Sequence, residues 1–386
     1  MARIGSFIDL PDIRDLLDRH PTTGILTIYL DPESGYRHEA QRWQTQLNSG
    51  LKALSQRYPD DKHLRRAIEA AETEIPALPP EYRHRSLVYM RALDPDWQWI
   101  RSLHGTTGTR FGWAPRPMVL PLLGFLHRHP VAGVILGSQE GLQGFTWRQG
   151  LLEPAGQWPL AVDTEDWRRF LGRAAPHLPQ QRATHTDAFA ARFVEQLKRE
   201  LAARAPAIHE TAQREGWQHL MVFGPTELRE HVLAALPAPW PERSIPVPDR
   251  HLARAGTREV AEAAEAALSA WLDQQDAAAV EALIAAALGR GKASIGVQEI
   301  LDLLAEERVA RLYVCSDLEL TGYRLPDGRL RLNLAPGQEQ GSAELPDLAE
   351  AVAARALRLG VEVVPLVGSA AHLLRPHGGM GAELRY

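Results

Sequence analysis

Cysteine is almost missing from this sequence: Cys315 is the only one in 386 residues. A single thiol excludes an internal disulfide and any cysteine-based structural zinc site. It stands in the apolar run Leu312-Tyr313-Val314-Cys315, which reads as a small buried hydrophobe and not as a nucleophile. Long apolar runs are missing too. None reaches the about 20 residues that a membrane span requires, because the best candidates carry Arg, His, Pro or Gly inside them. The opening Met1-Ala2-Arg3-Ile4-Gly5-Ser6 leads into too short an apolar stretch for a secretory signal, so the expected location is cytoplasmic, without membrane contact. A positive excess is the third absence. With 43 Lys and Arg against 48 Asp and Glu, the formal net charge is −5, so any contact with nucleic acid has to come from local basic patches.

Familiar catalytic signatures are absent as well. Gly289-Arg290-Gly291-Lys292-Ala293-Ser294 has a phosphate-loop flavour, but Ala293 stands where Ser or Thr must follow the lysine, Ala286 stands where the first glycine belongs, and the segment follows a helix pattern, not a strand. His209-Glu210 is followed by Thr211-Ala212-Gln213, which lacks the second zinc-ligating histidine. His127 with His129, and His177 with His185, keep no metal spacing and sit among Pro and Arg, the setting of exposed loop histidines. No Gly-x-Ser-x-Gly elbow occurs. The pairs Asp60-Asp61 and Glu306-Glu307 fall at turns or helix ends, where capping roles dominate. No metal, cofactor or catalytic residue is assigned from the residues alone.

What is present is an alternation of strand and helix patterns long enough for two or three domains of about 100–150 residues each. In the first region, 1–129, Ile25–Leu30 reads as a strand. Trp43, Leu47, Leu51 and Leu54 form a helical stripe, a second helix covers about Asp61–Glu74, and Ser86–Ala92 with Trp97–Leu103 read as a hairpin. The second region, 130–250, has strands predicted at Val131–Leu136, Gly144–Arg148 and Trp158–Val162, then a short helix to Leu171. A Pro-containing loop from Gly172 to His185 precedes a long helix with Phe189, Phe193, Leu197 and Leu201 on one face. Strand Leu220–Phe223, helix Thr226–Leu236 and strand Ser244–Val247 follow. In the third region, 255–386, an Ala-rich helix Arg258–Leu288, broken near Asp273–Asp276, ends at glycines. After it come a helix through Val297 and Leu304, strand Val309–Val314, β runs at Leu318–Leu325 and Arg329–Leu334, helix Leu345–Leu359 and strand Val361–Val364.

The chain closes on His377-Gly378-Gly379-Met380-Gly381-Ala382-Glu383-Leu384-Arg385-Tyr386, with three glycines in four positions, where the backbone can turn sharply before a short strand. Such a tail is expected to be tied down. It resembles the terminal Gly-Gly-(Ile/Met)-Gly-Ala-x-Leu-Arg-Tyr signature of archaeal and eukaryotic class I release factors, of Pelota-type rescue factors and of the bacterial archaeo-eukaryotic release factor families. The segment from Gly291 to Val314, with Gly296-Val297-Gln298-Glu299-Ile300-Leu301 and Arg308-Val309-Ala310-Arg311-Leu312-Tyr313-Val314, is similar to the helix-then-strand module of the same third domain.

The resemblance implies an α/β, three-domain chain, with an RNase H-like middle domain and a three-layer-type α/β third domain interrupted by an insertion at about Thr321–Glu344. Some relatives hold a zinc ribbon in that insertion, and this chain has no cysteines there. It also implies residues for a site. Gly378, Gly379, Gly381, Leu384, Arg385 and Tyr386 carry the tail motif. Where true release factors place the Gly-Gly-Gln that works in the peptidyl transferase centre, this chain has Pro179-Gln180-Gln181-Arg182, which lacks the φ freedom of a glycine pair. The implied function is occupancy of the ribosomal A site, in rescue, quality control or hibernation, without peptidyl-tRNA hydrolysis. Contacts to rRNA would come from Arg173, His177, Arg182, His185, Arg192, Lys198 and Arg199, and a translational GTPase such as elongation factor Tu is the implied partner. Two other readings stay open: a hydrolase working through Gln180 or Gln181, and an interaction module that does not touch ribosomes.

Overall fold

The computed structural model describes residues 7–19, 21–31, 39–79, 82, 86–138, 141–161, 183–250, 252, 255–289 and 291–386, with the backbone alone at 39–42 and 183–191. The predicted mixed α/β class is what the chain adopts. It divides into two compact units: residues 1–129 with 272–386, and residues 130–271.

In the discontinuous unit a first sheet has the order β3-β2-β1-β4, all antiparallel, from β1 (Ile25–Leu30), β2 (Ser86–Leu93), β3 (Asp96–Leu103) and β4 (Arg110–Ala114). All six residues of β1 are buried, because the sheet is covered on both faces. Leu26, Ile28 and Leu30 meet helices α2 (Glu39–Arg57) and α3 (Lys62–Glu74) through Leu47, Leu51, Leu64 and Ile68. Ile25 and Tyr29 point the other way, as the two-residue period of a strand requires. They enter a larger core with α1 (Leu10–Leu17) and α4 (Leu120–Arg128). That core continues without a break into residues of the third region, including Leu312, Val352 and Leu374.

The third region builds its own sheet, β14-β10-β15-β9, from β9 (Ala293–Ile295), β10 (Val309–Cys315), β14 (Glu362–Leu366) and β15 (Met380–Leu384). Strands β10 and β14 are parallel, joined through α9 (Leu348–Arg358), and β15 runs antiparallel to both β10 and β9. The glycine tail therefore supplies an inner strand. Gly378 (φ 89°) and Gly379 (φ 75°) make the left-handed turn into it. At Gly381 a Cβ would come within 2.5 Å of Leu283 Cδ2 and 3.3 Å of Leu374 Cδ1. Gly381→Ala is expected to lower stability by about 1–3 kcal/mol through overpacking, measured as a shift of the urea midpoint at unchanged slope. Helix α8 (Val297–Ala305) lies between β9 and β10 in sequence, and the insertion forms a small sheet, β12-β11-β13, from β11 (Gly322–Arg324), β12 (Leu330–Arg331) and β13 (Ala343–Leu345).

Residues 130–271 hold a sheet of order β7-β6-β5-β8, from β5 (Ala132–Ser138), β6 (Gly141–Arg148), β7 (Leu151–Pro159) and β8 (His219–Phe223). The first three form an antiparallel meander, β8 is parallel to β5, and an isolated parallel bridge joins Leu220 to Ser244. That is the strand order of an RNase H-like sheet, with its fifth strand reduced to one bridge. Helix α5 (Ala183–Glu215) buries Phe193, Leu197, Leu201, Ala205 and Ile208 against Ile135, Leu142 and Val222, and α6 (Thr226–Ala235) adds Leu228 and Val232.

Several expectations are corrected. Strand β7 begins at Leu151, seven residues before the predicted strand; Pro154 and Gly156 hide it, and both are tolerated because β7 is an edge strand with a register shift opposite Gly144/Phe145. Ser244–Val247 forms no strand, since Pro246 and Pro248 remove alternate donors. Helix α7 (Thr257–Leu288) is unbroken, and Asp273 and Asp276 bind Arg128 and His127 of α4 at 2.7 and 2.9 Å. His127 and His129 are thus not exposed loop residues: both are part-buried at the end of α4, and His129 Nδ1 lies 2.8 Å from the Phe125 carbonyl. The short helix predicted up to Leu171 and the loop from Gly172 to Arg182 lie outside the described residues.

Candidate functional site

Of the residues expected to meet rRNA, Arg173, His177 and Arg182, together with Pro179, Gln180 and Gln181, lie outside the described residues, and for His185 only the backbone in α5 is described. The remaining three sit on α5. A helix that buries Phe193, Leu197 and Leu201 must turn its other positions outward, and Arg192, Lys198 and Arg199 are all exposed. Lys198 Nζ lies 3.1 Å from Glu195 Oε1, both side chains being more than half exposed, so the pair is weak and open to exchange for another anion. Other polar residues of the same helix are structural. Arg204 Nε donates to the Pro159 carbonyl at 3.0 Å, and Gln196 Nε2 donates to the Ala161 carbonyl at 3.1 Å, fastening α5 to the end of β7.

The tail residues hold architecture. The amide of Cys315 donates to the Gly379 carbonyl at 2.9 Å, and that of Arg385 donates to the Arg308 carbonyl at 2.8 Å. Leu384 pairs with Val309, and Arg308 lies 5.6 Å from the centre of the Tyr386 ring. Beside them Tyr313 Oη donates to Glu383 at 2.7 Å, and burial, before any other influence, raises its phenol to about 12. Cys315 is buried with its thiol raised to about 11 by the same cause, the behaviour of the inert small hydrophobe expected.

A second place was not legible in the sequence. In the discontinuous unit a cavity of about 920 Å³ is lined by β4, the segment 115–118, β13 and one face of α9. Its deep wall is ionic. Helix α4 has no side-chain cap of its own, and its first free amides, Val119 and Leu120, donate instead to Glu350 Oε2 of α9 at 2.8 and 3.0 Å. A carboxyl at a helix N-terminus meets unsatisfied N–H groups and the positive end of the dipole. Burial, reinforced by the like charge of Asp347, nevertheless raises Glu350 from 4.5 to about 8, against the pull of Arg110 and the two amides. Arg110 reaches Asp347 at 2.9 Å and the Ser316 carbonyl at 3.2 Å, and Tyr29 Oη donates to the Met118 carbonyl at 2.6 Å. A carboxyl with a displaced pKa in a cleft is a common mark of catalysis. Here both of its oxygens are taken up by backbone amides, so Glu350 acts as a clamp between α9 and α4. Asp61 is likewise spent: it caps α3 through His63 and Leu64 and accepts from Trp113 Nε1 at 2.8 Å. Among the described residues no cluster of three or more His, Cys, Asp or Glu is placed to hold a metal, and no helix is long and apolar enough to cross a membrane.

The chain thus holds an RNase H-like sheet in residues 130–271 and, later in the sequence, an α/β sheet with the glycine tail as an inner strand. Residues 117–269 match the family described as bacterial archaeo-eukaryotic release factor family 10, so the resemblance drawn from the closing motif holds over the middle of the chain as well. No curated protein matches the sequence. Similar solved structures include the archaeal translation termination factor aRF1, at 16% identity and TM-score 0.24 over 98% of this chain and 97% of that one. The Pelota protein of Archaeoglobus fulgidus is 11% identical, with TM-score 0.34, over 78% and 79%. The C-terminal domain of the peptide chain release factor of Methanosarcina mazei is 22% identical, with TM-score 0.27, over 34% of this chain and 95% of that one.

Proposed function

We propose that this release-factor-like chain works in the cytoplasm by occupying the ribosomal A site, in rescue, quality control or hibernation, and does not hydrolyse peptidyl-tRNA through a Gly-Gly-Gln loop. The observation that carries the reading is the match of residues 117–269 to a release-factor family, in a chain with Pro179-Gln180-Gln181-Arg182 where the resemblance would put the hydrolytic motif. The exposed Arg192, Lys198 and Arg199 are the charges that would meet RNA phosphates, and Arg173, His177, Arg182 and His185 would extend them. Each such interaction is individually modest and salt-sensitive. On this reading the chain works as three functional regions, 1–129, 130–250 and 255–386, and a translational GTPase of the elongation factor Tu kind docks on the third.

Cosedimentation with vacant and stalled ribosomes across a salt series tests it. The wild-type chain is expected in the 70S fractions at low salt, and the triple substitution R192E/K198E/R199E is expected to weaken association at least tenfold. The slope of log affinity against log salt should also flatten by about one for each phosphate no longer neutralised. A wild-type chain that stays free of ribosomes at low salt overturns the proposal in favour of an interaction module. Release of a labelled nascent peptide by the wild type, abolished in Gln181→Ala, would replace it with the hydrolase reading.

A further inference from the structure

We propose that the cavity beside β4 takes an extended, acidic peptide as an added strand. Strand β4 is terminal in its sheet and β13 is terminal in the small sheet of the insertion. All five residues of β4 and all three of β13 line this one cavity. A terminal strand offers a row of backbone N–H and C=O groups with no partner, which folded proteins ordinarily blunt or cover. Two such edges on a single cavity form a place where a peptide in β conformation satisfies backbone groups of both sheets, with its alternate side chains falling toward the walls. Strand β4 sets the length at about five residues, or about 17 Å of extended chain.

The charges select the sequence. Every buried or half-buried carboxylate on the cavity already holds donors: Asp61 from Trp113 and two amides, Asp347 from Arg110, and Glu350 from Val119 and Leu120. Arg110 is also engaged. Arg116 and Arg324 line the same cavity half-buried, and among the described residues neither has an ion pair. Arg57, Glu319 and Glu344 are exposed at its rim, where water screens them. A half-buried guanidinium is screened by water less than an exposed one, and its planar fork matches a carboxylate in two hydrogen bonds. The occupant that answers both the open edges and the unmatched guanidiniums is thus a peptide strand bearing Asp or Glu. This inference does not depend on ribosome binding.

The test uses the full chain. A displayed library of random seven-residue peptides is selected against it, and the winners are made as fluorescein-labelled synthetic peptides. The expected result is enrichment of Asp and Glu, slowed hydrogen exchange at residues 110–114 and 343–345 on binding, and a tenfold or greater loss of affinity when alternate backbone amides of the peptide are methylated. Arg116→Gln and Arg324→Gln should each weaken the acidic peptide at least tenfold and leave an Asn-for-Asp peptide unchanged. Selection of no acidic peptide, or binding indifferent to amide methylation, overturns the proposal. Displacement of the peptide by inorganic phosphate or a mononucleotide at equal occupancy would assign the cavity to a small anion instead. Protection of 110–114 that rises with protein concentration alone, together with dimer formation, would assign the edge to a second copy.

Discussion

Glu350→Ala is expected to destabilise the discontinuous unit by about 3–5 kcal/mol, measured by urea unfolding with hydrogen exchange to locate the loss. Glu350 is 8% exposed, and its removal leaves the amides of Val119 and Leu120 buried without an acceptor, at about 1–3 kcal/mol each, beside a void. Glu350→Gln keeps an acceptor oxygen and should recover most of the loss. The same side chain makes stability depend on pH with a definite sign. Its carboxyl is raised from 4.5 to about 8, first by burial, so between those values the folded chain holds a proton that the unfolded chain has released. Its contribution is complete below the unfolded value and is lost as pH rises through about 8. The wild-type melting temperature should therefore fall between about pH 5 and pH 8 and level off above that, and Glu350→Gln should remove most of that slope. An unchanged slope in Glu350→Gln would show that another group titrates.

Trp217→Ala should cost residues 130–271 about 3–5 kcal/mol. The indole lies over Gly133 of the central strand β5, where a Cβ would approach its ring to 2.1 Å. Its N–H donates to the buried Thr146 hydroxyl at 2.9 Å, and its edge meets the Trp240 ring at a centroid distance of 6.4 Å. Truncation leaves a cavity and a buried hydroxyl without its donor. Gly133→Ala in the wild type should cost about 1–3 kcal/mol by forcing the indole aside, yet in the Trp217→Ala background the added methyl fills part of the void. The two changes should thus be markedly less than additive, and strict additivity in urea unfolding would show that ring and glycine do not touch.

Elements with a strong repeat were plain in the sequence. The stripe Trp43, Leu47, Leu51, Leu54 and the run Val309 to Val314 are α2 and β10, because one long apolar face leaves the chain little choice. The closing motif was legible because its first two glycines, Gly378 and Gly379, take left-handed positions at the turn into β15. Strand β7 was misplaced because its proline and glycine are permitted only by its place at the sheet edge, which is a tertiary fact. Helix α4 was missed because Pro121 and Gly124 interrupt its pattern, and its start is capped by a glutamate more than 200 residues away in sequence. The cavity was illegible altogether. Its walls come from residues 21–118 and 319–354, and no local spacing reports that β4 and β13 share a space. The basic face of α5 was readable from helical period, whereas the role of Arg204 in fastening β7 was not.

The order in which the strands are made bears on how the protein matures. Strand β9 joins its sheet only through β15, which is translated some 85 residues later, and β10 lacks one of its two neighbours until the same moment. During synthesis the RNase H-like sheet can close as soon as residues up to β8 and Ser244 have emerged, while the apolar faces of β1, α1 and α4 wait for the return of the chain. A nascent polypeptide of this kind leaves part of this core uncovered until β15 has emerged to pair with β10 and β9.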